Sequence, residues 1–260
     1  MTTTTSSSNT QPTTLVVGAT GATGRHVVQM LLNNGYNVRV IARSKERMLS
    51  LLLDSEAHYG DRLHITEASI LNMSNEELEH HVDGCEAVVS CLGHNITFQG
   101  MWGKASRGLV TKVTKRLTNA IRKKNKNNKT KFILMGTDGV AHPDGTTDDR
   151  RSLMERSIVF LLRYLVPPHA DNEQAAAYLY NETSREDVSW SIVRPTDLIN
   201  GDVSEYAVYE KPQGSLFGSG ATTRANVADF MVQLIADDKK WDQYKHKMPV
   251  VINTSKLEKK

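Results

Sequence analysis

The stretch Thr14-Leu15-Val16-Val17-Gly18-Ala19-Thr20-Gly21-Ala22-Thr23-Gly24 decides the fold of this chain. The residues before the first glycine form a short, largely apolar run, which predicts a buried strand. Apolar residues then recur at helical spacing from Val27 to Leu32, and the pattern ends near Gly35, a residue type common after helix ends. The stretch therefore predicts a strand, a glycine-rich turn and a helix in direct succession. That succession makes the G-x-x-G-x-x-G spacing informative, because a glycine pattern without it is weak evidence.

Each glycine of this turn has a separate physical role in a dinucleotide-binding unit. Gly18 permits a tight exit from the strand, Gly21 lets a diphosphate approach the backbone, and Gly24 lets the helix pack closely on the sheet. The amide groups near Ala22 and Thr23 would face the phosphates at the positive end of the helix dipole. The alternative is an ordinary glycine-rich turn between a strand and a helix. In this context the motif predicts dinucleotide binding.

The rest of the chain alternates between strand-like and helix-like segments. A helix is predicted over about Lys104–Lys124, with apolar residues at spacings of four. Strands separated by helical crossovers predict an α/β fold: a Rossmann-like, doubly wound, mostly parallel sheet flanked by helices in a single domain. We place this domain at residues 14–254, between a Thr/Ser-rich tail at 1–13, expected to be disordered, and a charged tail at 255–260. The further strands are predicted at Val38–Ala42, Leu63–Thr66, Glu86–Leu92, Lys131–Met135 and Ser189–Val193.

The composition argues against several classes of protein. The chain has 260 residues, of which 39% are hydrophobic and 23% charged, as in ordinary globular proteins. No apolar run approaches the roughly 18 residues of a membrane span, and the first ten residues do not resemble a secretory signal. Two cysteines do not make a disulfide framework, so we expect a cytoplasmic protein. The expected partner is a small-molecule substrate, with no nucleic acid and no membrane, and the chain is expected to be a monomer or a weak homodimer.

Two features that suggest other ligands have plainer explanations. The segment Arg122–Lys131 carries six basic residues in ten, but no aromatic residues are interleaved, so a solvated helix end is favoured over a nucleic-acid patch. His80 and His81 are adjacent and would point in different directions on a helix. We therefore predict no metal site.

The end of the second predicted strand distinguishes between the two nicotinamide dinucleotides. Sites that prefer NAD(H) typically carry Asp or Glu about 20 residues after the glycines, where it binds the ribose 2′-hydroxyl. This chain has Arg43 there, 19 residues after Gly24, followed by Ser44. A guanidinium can bind a 2′-phosphate with a planar set of donors, and the hydroxyl can add another. The pair predicts NADP(H) as the cofactor; the alternative for Arg43 is a solvated charge at a strand end.

In these motifs the chain resembles the atypical short-chain dehydrogenase/reductase superfamily. It is most similar to the NAD(P)-binding, NmrA-like branch that includes the flavin reductase/biliverdin-IXβ reductase type. The likeness runs in order over about residues 14–235, and its last segment, after the sixth predicted strand, is more specific to this branch than the glycine motif. The segments that carry it are Val17–Gly24, Val40–Ser44, Val88–Gly93 and Trp190–Thr196.

The resemblance implies where the remaining parts of the cofactor would lie. Leu92 and Gly93 would line the adenosine ribose and the pyrophosphate, and Pro195 and Thr196 would flank the nicotinamide. Ser69 stands where relatives often carry an Asp that contacts adenine. The expected cofactor-binding residues are Gly18, Thr20, Gly21, Ala22, Thr23, Gly24, Arg43, Ser44, Ser69, Leu92, Gly93, Thr137, Pro195 and Thr196.

The chain departs from the superfamily in its catalytic residues. Familiar members use a Tyr-x-x-x-Lys pair to pass a proton to or from a substrate oxygen. None of the eight tyrosines here has a lysine four residues on. The candidate catalytic residues are Thr137, which matches the family's active-site Ser/Thr, and His169, which could donate a proton near neutral pH or be a surface histidine at a helix entry.

The sequence supports two functions of different classes. The first is an NADPH-dependent reductase that transfers hydride to a flavin, quinone, bilin or carbonyl compound. Its acceptor would bind between two aromatic-rich loops, at residues 94–103 and 206–220. The alternative is that the aromatic residues of these loops only pack locally. The second is a catalytically silent NADP(H)-binding redox sensor of NmrA-like type. An isomerase, epimerase or lyase is less favoured, because the chain has no tyrosine in a Tyr-x-x-x-Lys pair.

Overall fold

The computed structural model describes residues 11–52, 59–93, 108–124, 130–144, 167–183, 185–213 and 220–254. Within these ranges the strands are β1 Thr13–Val17, β2 Asn37–Ala42, β3 Leu63–Glu67, β4 Ala87–Ser90, β5 Lys131–Met135, β6 Ser189–Pro195, β7 Asp197–Ile199, β8 Tyr206–Tyr209, β9 Ala221–Thr223 and β10 Val250–Asn253. The helices are α1 Gly24–Asn33, α2 Lys45–Ser50, α3 Asn75–Val82, α4 Leu109–Lys124, α5 Pro167–Ala177, α6 Arg224–Ala236 and α7 Asp238–Tyr244. A 3₁₀ turn, Gly60–Arg62, precedes β3, and a π-helical turn, Tyr178–Glu182, continues α5.

Eight strands form one sheet in the order β3-β2-β1-β4-β5-β6-β10-β8. Neighbouring strands are parallel except β10 and β8, which pair antiparallel, and β7 and β9 form a separate parallel pair. The chain moves in opposite directions along the sheet on either side of β1 and β4. Doubly wound sheets bind ligands at the carboxyl ends of the strands beside such a switch. The predicted Rossmann-like, doubly wound fold is confirmed.

The sheet is buried on both faces, and this explains why its central strands could be predicted. Successive residues of a strand point to opposite faces. Val16 of β1 packs into a core shared with α1 and α6, whereas Leu15 and Val17 pack into a second core shared with α3, α4 and α5. Because neither face meets water, these strands are nearly continuous apolar runs, which is the pattern expected of a covered parallel sheet.

The structure differs from the sequence prediction at the ends of elements and in the last third of the chain. Strand β4 is shorter than the predicted Glu86–Leu92, and residues 104–107 of the predicted helix lie outside the described residues. Strands β7 to β10 were not predicted, because each has only three or four residues and too little pattern to recognise. None of the helices in the described ranges has the length and apolarity that a membrane crossing needs.

The basic residues that end α4 lie at the surface. Arg122, Lys123 and Lys124 lie 3.2, 2.7 and 3.7 Å from carboxylate oxygens of Asp187, Glu79 and Asp83. Exposed pairs of this kind contribute little to stability, so the solvated-helix interpretation suits these three residues. The last residue of the segment is different: the Lys131 ammonium is buried, and it donates to the Ile235 carbonyl and to Asp238, each at 2.7 Å.

The two thiols are structural. Cys85 and Cys91 are both buried and free, and the Cys91 sulfur lies 3.9 Å from that of Met231. Burial raises the pKa of Cys85 to about 11 and that of Cys91 to about 12. The thiolate is the reactive form, so we expect neither thiol of the native protein to react with Ellman's reagent at pH 8, and both to react in denaturant. Rapid release of one equivalent from the native protein would contradict this burial.

Candidate cofactor and active site

The turn after β1 packs directly against the end of β4, and its glycines make this contact possible. Gly18 has φ +75°, and a Cβ added to it would lie 2.6 Å from the carbonyl carbon and oxygen of Cys91. A Cβ on Gly24 would lie 2.3 Å from the Gly18 oxygen. Helix α1 therefore begins against the turn, and the turn lies against β4. A side chain at Gly18 would push the turn away from β4, and one at Gly24 would push α1 away from the turn, at the crevice between the carboxyl ends of β1 and β4.

The start of α1 presents amide groups to this crevice. The first amides of a helix have no partner four residues back. Thr23 occupies the N-cap position, but its buried side chain makes no capping hydrogen bond. Gly21 and Ala22 are exposed, and the Gly21 amide closes the turn onto the Gly18 oxygen at 3.0 Å. Helix N-termini bind phosphate through such amides, so diphosphate binding by these residues stays a prediction.

Arg43 lies at the carboxyl end of β2, beside the glycine turn. Its side chain is exposed, and within the described ranges no hydrogen bond or ion pair holds it. Ser44 caps α2, and its Oγ accepts the Arg47 amide at 3.0 Å. The hydroxyl hydrogen of Ser44 can still be donated to an anion. The two residues of the predicted 2′-phosphate site are therefore adjacent at the crevice, with Arg43 available to a ligand.

Sequence reasoning missed a carboxylate beside this site. Glu67 ends β3 and pairs in register with Ala42, the residue before Arg43. Its Oε2 accepts the Lys45 amide at 2.7 Å, at the start of α2. No local pattern predicts this neighbour, because it depends on how β2 and β3 align.

The loop after β3, which carries the predicted adenine contact Ser69, is held by an arginine from α4. Ser69 is partly exposed in the loop after β3, as the predicted adenine contact requires. Arg116 fixes the residues that follow, because its guanidinium donates to the Ile70 carbonyl at 2.7 Å and also to the Met73 carbonyl. This loop is therefore braced by Arg116, a residue that the sequence analysis did not single out.

Leu92 and Gly93 come directly after β4, next to the glycine turn. Leu92 is partly exposed and Gly93 exposed, and an added Cβ on Gly93 would have no atom within 4 Å. The two residues are thus accessible at the crevice, where the resemblance placed them. The aromatic loop predicted over residues 94–103 lies outside the described residues.

Thr137 lies in a turn after β5 that is fastened to the end of β6. The amides of Gly136 and Asp138 donate to the carbonyls of Val193 and Pro195, at 2.8 and 3.0 Å. The Thr137 Oγ1 accepts the Gly139 amide at 3.3 Å, which closes the turn. Thr137 is therefore a positioned, partly exposed hydroxyl at the carboxyl edge of the sheet.

A buried arginine secures this turn from below. Arg194 is 1% exposed, and its guanidinium donates to the Val140 carbonyl at 3.1 Å and to the Met248 carbonyl at 2.8 Å. It thereby joins the Thr137 turn to the segment before β10. Sequence analysis quoted Arg194 only as part of a motif, and its role depends on contacts between distant segments.

His169 is brought to the same turn by α5. A Cβ added to Gly139 would lie 3.4 Å from the His169 Cε1 and 3.7 Å from the Thr137 Oγ1, so the two catalytic candidates flank one glycine. The His169 side chain is only 11% exposed, which makes the alternative of a surface histidine wrong. Asp171 anchors this part of α5, because its carboxylate accepts the amides of Val110 and Thr111 at 2.8 and 3.0 Å.

The predicted nicotinamide residues are less accessible. Pro195 is buried at the end of β6, and Thr196 is buried with its Oγ1 2.7 Å from that of Thr222. Thr222 in turn donates to the Val251 carbonyl at 2.6 Å. The Thr196 hydroxyl is therefore engaged in holding β7, β9 and β10 together, and its backbone and methyl group remain as the groups that a ring could contact.

The second predicted wall, over 206–220, is only partly described, since residues 214–219 lie outside the described residues. Tyr206 donates to the Asp229 carboxylate at 2.6 Å. Burial and this carboxylate raise its pKa. The Tyr206 hydroxyl is thus bound to α6.

Among the described residues, no group of three His, Cys, Asp or Glu side chains could hold a metal ion.

The comparison with family models identifies this arrangement. Residues 18–238 match the model described as NAD(P)H-binding, so the chain belongs to this NAD(P)H-binding family. The residues present fit the cofactor: glycines allow the turn to pack closely against the end of β4 and the start of α1, and Gly21, Ala22 and Arg43 are exposed beside it. The family match therefore shows that a nicotinamide dinucleotide is the cofactor.

Individual relatives are more distant. Over 87 residues the chain is 38% identical to the chloroplastic divinyl chlorophyllide a 8-vinyl-reductase of Arabidopsis thaliana, covering 30% of this chain and 19% of that protein. A Streptococcus pneumoniae protein assigned as an NADH-flavin reductase has a similar structure, with a TM-score of 0.66 and 17% identity. The match covers 94% of this chain and 100% of that one. ChuY, an anaerobilin reductase from Escherichia coli, gives a TM-score of 0.65 with 14% identity over 95% and 100% of the two chains. At these identities the structures show a shared fold.

Proposed function

We propose that the protein is an NADPH-dependent reductase that transfers hydride to a small-molecule acceptor: a flavin, a quinone, a bilin or a carbonyl compound. One observation carries the proposal. Arg43, the glycine turn and the Thr137–His169 pair lie along one edge of the sheet, in the order of the strands β2, β1 and β5. Strands β1 and β5 are separated by β4, so their ends are about 10 Å apart. That edge can take an extended dinucleotide with its adenosine end at Arg43.

Each group of residues has a distinct role in this proposal. The amides at the start of α1 bind the diphosphate, and Arg43 with Ser44 binds the 2′-phosphate. Ser69, Leu92 and Gly93 line the adenosine side. The reduced nicotinamide supplies a hydride, and Thr137 donates a hydrogen bond that orients the acceptor. The braced turn keeps this hydroxyl at a fixed distance from the ring, which is how positioning accelerates such a reaction.

The acceptor is proposed from chemistry and from the named functions of similar proteins. Planar, conjugated acceptors can take hydride while solvent supplies the proton, so they do not need a Tyr-x-x-x-Lys pair. The similar proteins are named as reductases of a chlorophyllide, an anaerobilin and a flavin. The first test is to follow NADPH oxidation with a panel of flavins, quinones, bilins and carbonyl compounds. We expect turnover with at least one class, and no turnover with any of them would contradict the proposal.

The alternative is a redox sensor that binds NADP(H) without chemistry. The missing Tyr-x-x-x-Lys pair favours it. A sensor must bind NADP⁺ and NADPH with different affinities, because a ligand shifts states only through differential binding. Equal affinities, measured by calorimetry, would exclude the sensor; unequal affinities together with inactivity on the whole panel would favour it.

Glu67 provides a graded test of the 2′-phosphate site. We expect Glu67→Gln to tighten NADPH binding by about two- to fivefold, because it removes a negative charge whose repulsion in water is roughly 1 kcal/mol at contact distance. The glutamine oxygen can still accept the Lys45 amide, so the local fold should be kept. NADH binding should change less than NADPH binding. Equal changes for both dinucleotides, measured by fluorescence titration, would place the 2′-phosphate elsewhere.

A further inference from the structure

A carboxylate lies behind the ring of His169. The Nε2 of His169 and the Oε1 of Glu173, one helical turn further along α5, are 3.5 Å apart. Both side chains are nearly buried, with 11% and 12% of their surfaces exposed. The Nε2 atom itself is buried and makes no hydrogen bond within the described part of the chain. A small rotation of either side chain would bring the two atoms into hydrogen-bond distance, and such contacts often tighten only when substrate binds.

The two ring nitrogens of His169 therefore have different surroundings. The Nε2 side faces Glu173, while Cε1 and Nδ1 lie 3.4 and 3.7 Å from the position of a Cβ on Gly139. That position is also 3.7 Å from the Thr137 Oγ1, the hydroxyl at the candidate site. A carboxylate beside one ring nitrogen can orient the ring, which leaves the other nitrogen to exchange a proton.

The helix that carries the pair is itself fixed. Asp171 lies between the two residues in sequence and points to the other side, where its carboxylate accepts the first amides of α4 and the Thr111 hydroxyl at 2.6 Å. This contact is buried and holds α5 against α4. Asp171 thus fixes the part of α5 that carries His169, and the Glu173 carboxylate lies 3.5 Å from the ring.

We infer that Glu173 is a positioning residue that orients His169 to donate a proton from Nδ1 to the acceptor, and that the acceptor is a carbonyl compound. The inference rests on the proposed function and narrows its substrate class. Reduction of a carbonyl leaves an alkoxide, a strong base that needs a proton inside the site, whereas reduced flavins and quinones are much weaker bases that water can protonate. A buried proton donor such as His169 therefore favours a carbonyl acceptor, because it can protonate the alkoxide inside the site.

The acceptor carbon gains a hydride from the reduced nicotinamide, which gives up two electrons and becomes the oxidised dinucleotide. The electron pair of the C=O π bond moves to oxygen, where a new O–H bond forms as the Nδ1–H bond of His169 breaks. Glu173 keeps its negative charge throughout and steadies the imidazolium before the transfer. Solvent then returns one proton to the ring.

The first test needs no activity. In full-length protein labelled with nitrogen-15 histidine, His169 is assigned as the signal that disappears in His169→Gln. With the neutral ring we expect the proton on Nε2, facing Glu173, and a bare Nδ1, both with and without NADPH. A proton on Nδ1 instead would overturn the inference, because the ring would then be oriented the other way.

The second test compares acceptors. General acids typically contribute about 10²–10⁴-fold, so His169→Gln should lower kcat for carbonyl acceptors by about that factor and Glu173→Gln by at least about tenfold. KM, NADPH affinity and the reduction of flavins or quinones should stay within about threefold of the wild type. The matched control is Glu182→Gln, the same change at a residue with an exposed side chain 3.5 Å from Lys115, which should alter neither rate.

The outcomes separate the inference from the proposed function. Wild-type reduction of flavins or quinones but of no carbonyl compound would overturn the inference and leave the reductase standing. Equal losses on both kinds of acceptor in Glu173→Gln would also overturn it, because they would indicate a structural role. Failure on every acceptor despite NADPH binding would overturn both. Should Glu173→Gln not fold, Glu173→Asp keeps the charge but withdraws it from the ring, and the same selective loss is expected.

Discussion

Gly18→Ala is expected to lower the free energy of unfolding by about 2–6 kcal/mol, from roughly 1–3 kcal/mol of backbone strain and a similar cost of overpacking. The strain arises because Gly18 has φ +75°, which alanine rarely adopts. The overpacking arises because the new Cβ would lie 2.6 Å from the backbone of Cys91, and a strand backbone cannot move aside as a flexible side chain can. Nucleotide binding should be lost as well, since the turn must shift away from β4. Urea unfolding and a fluorescence titration with NADPH measure the two effects.

Gly35→Ala is the matched control for this prediction. Gly35 has φ +83°, close to that of Gly18, but an added Cβ would meet no atom within 4 Å. Alanine there should therefore lose only about 1–2 kcal/mol, the conformational cost of the left-handed region. NADPH affinity should be unchanged, because Gly35 follows the far end of α1. Equal losses of stability in the two variants would show that the turn does not pack tightly against β4.

Arg43→Asp is expected to weaken NADPH binding by about 100-fold or more, with NADH binding changed by less than about threefold. Hydrogen bonds to a charged group contribute roughly 1.5–3 kcal/mol, which is about 10- to 150-fold in affinity, and the new carboxylate adds repulsion. An aspartate at this position can also bind a ribose 2′-hydroxyl, so the preference should move toward NADH. Calorimetric titration of wild type and variant with both dinucleotides measures the change.

Two comparisons distinguish the loss of this specific contact from a general effect of charge. Arg122→Asp makes the same charge reversal at the exposed end of α4, where the wild-type residue pairs with Asp187, and should leave both affinities nearly unchanged. The preference of the Arg43→Asp variant for NADH should also persist at higher salt, because contact between a carboxylate and a ribose hydroxyl is short-ranged. An unaltered preference for NADPH in Arg43→Asp would mean that the 2′-phosphate is bound by other residues.

The strand–turn–helix unit could be predicted because its determinants are local. Gly18, Gly21 and Gly24 lie within seven residues, and the apolar runs on either side specify a strand and a helix without reference to the rest of the chain. The doubly wound sheet followed from the same reasoning, since covered parallel strands are continuous apolar runs. Strands β7 to β10 did not follow, because three or four residues carry too little pattern to recognise.

The parts of the site that the sequence did not reveal all depend on contacts between distant segments. Glu67 reaches the start of α2 only because β2 and β3 align in one register. Arg194 braces a turn more than 50 residues away in sequence, and Arg116 a loop more than 40 residues away. No spacing in the sequence encodes these distances.

His169 is an intermediate case. Its chemistry drew attention in the sequence, but its burial depends on how α5 packs. Glu173 follows four residues later, a spacing that places both on one side of a helix, so this pair could have been found from sequence once the helix was recognised. Its position beside the Thr137 turn could not, because that depends on how α5 and the end of β5 come together.

We expect NADPH to bind at the glycine turn with its 2′-phosphate against Arg43. Calorimetric titration of the wild-type protein with NADPH and with NADH under identical salt measures this contact directly. NADPH should bind about 10- to 150-fold more tightly, the range expected of hydrogen bonds to a charged group. Equal affinities, or tighter binding of NADH, would contradict it.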